Sequence, residues 1–305
     1  MDINLQTQPS EKPKVNFSRI FSPSKIKQFD QCPKSYWFYF VDPIYYGMKK
    51  DLKKMPQNIF SFNTLGKAVH NAITLFYYLS EKERALQNLK NILEITWVSE
   101  VMWNKNFPLG QWGGFSNLDE ENESRNWAIL MLENFYNIQP KTKTLEFLPM
   151  KDFRHSFGDY ETMITPINED FDISGKFDLV LKNSDDTLDI IDFKTGKKEN
   201  EDKFQMLFYK LLAEKKFKKP VRNLYYYFLR SGKILEVDHS QLDKEKIMED
   251  ILKKVDEIRK TVNYEAKPTS LCKYCLFKDF CPKKEEVRSL ILGVRSDEVS
   301  DDLPF

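Results

Sequence analysis

Apolar residues along this chain fall into two patterns. From Phe171 onward the order is strand-like. Phe171, Ile173, Phe177, Leu179 and Leu181 share one parity, and a second apolar run begins at Leu188 after Asn183-Ser184-Asp185-Asp186. The spacing predicts an antiparallel β-hairpin. A shorter strand is expected around Leu145–Leu148, and a second hairpin pairs Leu224–Arg230 with Ile234–Asp238 about Ser231-Gly232-Lys233.

The rest reads as helix. Ser22-Pro23-Ser24 offers a start, Ile26 and Phe29 begin an apolar face, and Cys32-Pro33 interrupts it before the aromatic run Tyr36–Phe40, which is read mostly as core. After a basic connection over Lys49–Pro56, Thr64-Leu65-Gly66 opens a helix to about Leu79. His70 falls there among Leu65, Val69, Ile73 and Phe76 and so faces inward or toward a cleft. Residues 81–137 are helical in pattern, broken by the Gly-, Pro- and Asn-rich stretch Asn104–Asn117, a candidate cover or partner contact. Further helices are expected over 201–216 and 243–261, and the whole is α/β.

Composition narrows the classes. With 305 residues and 41% hydrophobic content the chain can bury a sizeable core, and a formal net charge of only +1 excludes a global basic field. A polyanion must therefore meet a local patch, for which Lys176, Lys197, Lys198, Lys203 and Arg230 are candidates as a group. Tyr225-Tyr226-Tyr227-Phe228 alternates across a strand, half toward the core and half available to stack bases. No apolar run approaches the roughly 20 residues of a membrane span. The polar start, Met1 to Lys14, has no signal-peptide core, so a soluble, cytoplasmic chain without a membrane partner is expected, with residues 1–15 disordered.

The candidate chemistry lies on the first hairpin. Asp192 and Lys194 are two residues apart, so both leave one face of the strand, and Asp178 sits on the neighbouring one. Carboxylates from two strands suit a hard divalent cation such as magnesium or manganese, with positions left for water and a phosphate oxygen, while an ammonium orients the water. Taken alone, Asp-x-Lys is also what a surface ion pair looks like. Gln205 and Tyr209 follow as an i,i+4 pair on one helix face.

Cysteine usage gives a second signal. Cys272, Cys275 and Cys281 form a compact trio and Cys32 stands alone near the start. The spacing favours metal ligation over disulfides, and four thiolates suit either a tetrahedral zinc or a four-iron, four-sulfur cluster.

In order, His70, Glu146, Gly175-x-x-Asp178, Asp192-x-Lys194 and Gln205-x-x-x-Tyr209 resemble the RecB-type branch of the PD-(D/E)XK nuclease superfamily over roughly residues 18–282. The resemblance implies a restriction-endonuclease-like core, a central mixed sheet flanked by helices, with a helical insertion at about 81–137. It implies that His70, Asp178, Asp192 and the Phe193 backbone carbonyl hold a divalent metal, that Lys194 assists the attacking water, and that Gln205 and Tyr209 face the DNA strand. Glu146 is a metal ligand, a partner of one, or an exposed strand acid. One cysteine from the start plus three from the end resembles the iron-sulfur staple of AddB-type and CRISPR-associated members, which favours a cluster over zinc at Cys32, Cys272, Cys275 and Cys281.

The expected organisation is a nuclease domain over 16–282, with its cysteine segment at 268–282, and an acidic tail over 283–305. The expected activity is phosphodiester hydrolysis by a DNA exonuclease acting on single strands or ends, in recombination, repair, phage replication or CRISPR adaptation. The alternative is a non-catalytic scaffold that binds DNA ends. The final Asp301-Asp302-Leu303-Pro304-Phe305 resembles the acidic tip of bacterial single-stranded-DNA-binding proteins, and implies contacts with repair or replication proteins unless it is an ordinary acidic tail.

Overall fold

The computed structural model describes residues 19–53, 55, 59–102, 112–140, 144–147, 163–240 and 244–293. The polar N-terminus and the last residues of the acidic tail lie outside them. A two-residue strand, β1 (Ile20–Phe21), leads to Ser22, whose hydroxyl caps α1 (Pro23–Gln31) by accepting the Lys25 N–H. Proline is tolerated in that first turn because its N–H would have no intrahelical partner. Cys32 then caps α2 (Pro33–Phe40), its sulfur 3.4 Å from the Ser35 nitrogen. Asp42 caps α3 (Pro43–Leu52) through the N–H groups of Ile44 and Tyr45. Lys49–Leu52, expected in a connection, therefore form the last turn of a helix.

α4 (Ser61–Tyr78) buries Leu65, Val69, Ile73 and Phe76, and α5 (Leu86–Met102) and α6 (Leu118–Ile138) pack against it. The strands follow: β2 (Thr144–Phe147), β3 (Met163–Pro166), β4 (Asp172–Gly175), β5 (Leu179–Lys182) and β6 (Leu188–Lys194). α7 (Lys203–Phe217) crosses to β7 (Val221–Phe228), β8 (Lys233–Glu236) returns, and α8 (Lys244–Lys260) and α9 (Lys284–Gly293) complete the order. The segment expected as a tail thus begins as a helix, with Val287 buried.

Five strands form a mixed sheet in the order β2-β5-β6-β7-β8. Only β6 and β7 run parallel, as the α7 crossover requires. A smaller sheet runs β1-β4-β3, with β1 parallel to β4. The hairpin of β5 and β6 forms as expected, but the shared parity does not extend through it. Phe171, Ile173 and Phe177 pack with α7 and α8, whereas Leu179 and Leu181 pack with α4, α5 and α6. The reason is that β4 and β5 belong to different sheets, and the chain bends between Gly175 and Leu179.

Helices cover both faces of the larger sheet. Ile190, Leu224 and Tyr226 face α7 and α8, while Ile191, Phe193 and Tyr227 face Val69 of α4, Leu93 of α5 and Phe135 of α6. The stretch expected as a helical insertion thus supplies one wall of the core. Tyr226, Tyr227 and Phe228 are all buried, so the half of that run expected to stack bases is instead core. Among the described residues no helix is long and apolar enough to cross a membrane.

Candidate active site

Asp178 stands at the mouth of β5, and the register of the hairpin sets what it meets. Leu179 pairs with Ile191, which places Asp178 opposite the end of β6, where the Phe193 N–H donates to its Oδ2 at 2.8 Å. From α4, His70 Nδ1 lies 3.1 Å from its Oδ1. The imidazole is half-buried, with Phe193 edge-on to its ring at 6.1 Å. Helical spacing that predicted an inward or cleft-facing His70 is met by a ring that joins the core to a carboxylate.

Two residues beyond Ile190, Asp192 is buried at 5% exposure, and Lys194 reaches it with Nζ 2.8 Å from Oδ2. Gln205 closes the group. Its Oε1 accepts from Lys194 Nζ at 3.3 Å and its Nε2 donates to Asp192 Oδ1 at 3.1 Å. The first turn of α7 is fixed by Asp202, which caps it by accepting the Gln205 N–H at 3.0 Å and is itself held through its carbonyl by the Tyr226 hydroxyl at 2.8 Å. Asp202 was missed by sequence reasoning, although an Asp at the start of a helical pattern is an N-cap signal. Lys194 also lies 5.0 Å over the Tyr226 ring.

Tyr209, the other member of the helical pair, is buried. Its ring meets Phe177 at 5.3 Å, and a Cβ on Gly175 would come within 2.9 Å of it and 2.8 Å of Leu212. Only a residue without a side chain lets α7 approach β4 this closely. Glu146 stands apart. It lies at the bulge of β2, and its carboxylate takes the Lys219 ammonium at 2.7 Å beside the hairpin turn, where Lys219 also meets Asp186.

The charges are set by burial against near neighbours. Burial pushes the Asp192 carboxyl up; Lys194 opposes this and the Asp178 charge adds to it, leaving the group above its ordinary range. For Lys194 burial alone would lower the value, but Asp192 first, then Asp178 and Asp202, hold it above the ordinary lysine range. His70 behaves alike: burial is outweighed by its Asp178 contact and by Asp192, and the ring binds its proton more tightly than usual. Burial raises the Tyr209 hydroxyl, and the nearby carboxylates reinforce the shift.

Two carboxylates, Asp192 buried and Asp178 partly so, are the ligand chemistry of a hard divalent cation, to which the imidazole adds a nitrogen donor. The fit is supported by Asp192 Oδ2, which is buried without a hydrogen-bond partner and lies 2.8 Å from the Lys194 ammonium. Among the described residues no three His, Cys, Asp or Glu side chains are gathered as around a bound ion; His70 and Asp178 meet each other, and Asp178 also accepts from the Phe193 N–H.

The four cysteines meet in a separate cavity. Cys32, Cys272, Cys275 and Cys281 line one cavity of about 170 Å³ and form no disulfide. Backbone N–H groups point at their sulfurs, Lys267 toward Cys32 at 3.5 Å and Thr269 toward Cys272 at 3.3 Å. Burial pushes the Cys275 thiol up to about 12, with the neighbouring Cys272 and Cys32 adding to the shift. Beneath them Phe38 and Tyr39 of α2 pack on Phe277, so the aromatic run expected as core joins α2 to the cysteine segment.

Compared with known families, residues 20–282 match the PD-(D/E)XK nuclease superfamily. A search of curated proteins gives no match.

Proposed function

The chain belongs to the PD-(D/E)XK nuclease superfamily, and from that premise we propose a metal-dependent DNA nuclease of the RecB-like branch, an exonuclease on single strands or DNA ends. The observation that carries this reading is the closed set of Asp192, Lys194 and Gln205 beside the His70–Asp178 pair. A module that only bound DNA ends would gain nothing from burying a carboxylate and an ammonium in contact, since desolvation costs much of what their attraction returns.

Magnesium or manganese would be held by His70, Asp178, Asp192 and the Phe193 carbonyl, and supplies, when bound, charge neutralisation at the phosphate and a more acidic water. Lys194, held protonated by Asp192 and oriented by Gln205, would place a positive charge and a hydrogen-bond donor beside the reacting phosphate. Asp192 and Asp178 keep the site anionic enough for a cation yet dry enough for its charge to matter. Tyr209 supports Gln205 from within the fold.

For the cysteine cavity we favour a four-iron, four-sulfur cluster. That preference rests on the resemblance to the cluster-stapled nucleases, since four thiolates suit zinc equally well, and the four cysteines that line the cavity could hold either. Its role is structural, a clasp between Cys32 and the C-terminal cysteine segment.

The test is digestion of end-labelled single- and double-stranded oligonucleotides with magnesium, manganese or chelator. The wild type should cleave only with metal, and Lys194→Ala and Asp192→Ala should not cleave. Unimpaired cleavage by both variants would remove the proposed site.

A further inference from the structure

A second cleft, of about 520 Å³, opens between the start of α4, the side of α6 and the loops that follow β6 and β7. That is within the range of about 300–1,000 Å³ usual for ligand sites. Aromatic faces form part of its lining. Phe60 and Phe62 stack at 5.3 Å with planes 5° apart, and Tyr274 meets both edge-on. Half-buried Trp127 of α6 adds another, with the Arg230 guanidinium 4.5 Å over its ring.

Lys197, Arg230 and Lys273 bring positive charge to this cleft, and Glu120 and Glu123 bring negative. Glu120 is already engaged, since it accepts the Ser116 N–H at 2.7 Å at the start of α6. The balance favours an anion carrying flat, apolar faces.

Two contacts tie the cleft to the catalytic strand. Arg230 Nε donates to the carbonyl of Thr195, the residue after Lys194, at 3.4 Å. A Cβ on Gly66 would lie 3.2 Å from the Thr195 hydroxyl, so the helix that carries Leu65 into the cleft and His70 into the site runs directly against the end of β6.

We propose that this cleft receives single-stranded DNA beside the scissile phosphate, with bases stacked on Trp127 and phosphates against Lys197, Arg230 and Lys273. The inference rests on the nuclease reading and adds to it the state of the strand. Bases in a duplex are stacked on one another, whereas an unpaired strand offers their faces to aromatic side chains, and does so whatever the sequence. Cations beside those rings hold the backbone without reading bases.

Fluorescence anisotropy tests it, with a labelled oligothymidylate and a blunt hairpin duplex titrated by the full chain in calcium without magnesium or manganese. The wild type should prefer the single strand. Trp127→Ala and the exposed Lys197→Glu should each weaken oligothymidylate binding by about tenfold. Trp127→Phe should retain most of the affinity, and circular dichroism reports whether each variant is folded. Unchanged affinity in both folded variants, or equal wild-type affinity for duplex and single strand, overturns the proposal. If the wild type binds as expected but cleaves with no divalent ion, the cleft stands and the catalytic reading falls.

Discussion

Lys194 Nζ lies 2.8 Å from Asp192 Oδ2, on the same face of one strand, and a single side chain from the crossover helix, Gln205, bonds to both. Strand periodicity alone makes the pair; the helix makes it a site. Two charged groups taken out of water need such additional partners to hold one geometry.

Gln205→Ala should therefore slow cleavage more than it weakens the fold. Asp192 and Lys194 remain paired but lose their common tether, and displacements of about 1 Å in such groups cost on the order of 100-fold in rate. Single-turnover cleavage at saturating manganese measures the loss. A rate within threefold of wild type would mean that the Gln205 bonds do not position the lysine.

Gly175→Ala probes the same helix from beneath. The new methyl would meet Tyr209 and Leu212 at under 3 Å, and overpacking of this kind costs about 1–3 kcal/mol. The urea midpoint should fall, with activity falling further as α7 shifts Gln205. Wild-type stability in this variant would contradict the close approach of α7 to β4.

The stability of the metal-free protein should depend on pH through His70. Its folded pKa is raised above the ordinary 6.5, so its contribution is fully present below that value and is lost as pH rises through the folded pKa. Asp192 acts in the same direction: with a folded pKa above the ordinary 3.8, its ionisation penalises the folded state as pH rises past that value. Urea midpoints at pH 6 and pH 8 in chelator should show greater stability at pH 6, and His70→Gln should reduce the difference. A difference of the same size in the variant would rule out the His70–Asp178 pair as its source.

Cys275→Ala should give a colourless, poorly soluble protein, while wild type purified without oxygen should be brown and contain iron and sulfide. Because the cavity joins α2 to the C-terminal segment, loss of the group should loosen both ends together. A colourless wild type with stoichiometric zinc would refute the cluster.

Much of the site was legible because its signals are local. Asp192 and Lys194 share a face by the period of two, Gln205 follows on a helix of matching length, and His70 lies on the inward stripe of α4. Two of the failures share a physical origin, in that both faces of the larger sheet are covered. Alternation then carries no information about inside and outside, so Tyr225–Phe228 was divided between core and surface when three of the four are buried. The same ambiguity concealed the bend between β4 and β5, which only the pairing of strands in two sheets reveals. The partner of Glu146 is distant in sequence, and nothing around Lys219 announces it. Trp127 and Lys273 come from segments that tertiary packing alone brings to one cleft.

The central claim is that Asp192 helps hold a catalytic cation while Lys194 serves the chemistry. Calorimetric titration of manganese, run beside cleavage assays on the same preparations, separates the two roles. The account predicts that Asp192→Ala loses both manganese binding and cleavage, and that Lys194→Ala binds manganese but leaves the labelled strand intact. Manganese binding and cleavage that both survive Asp192→Ala would contradict it.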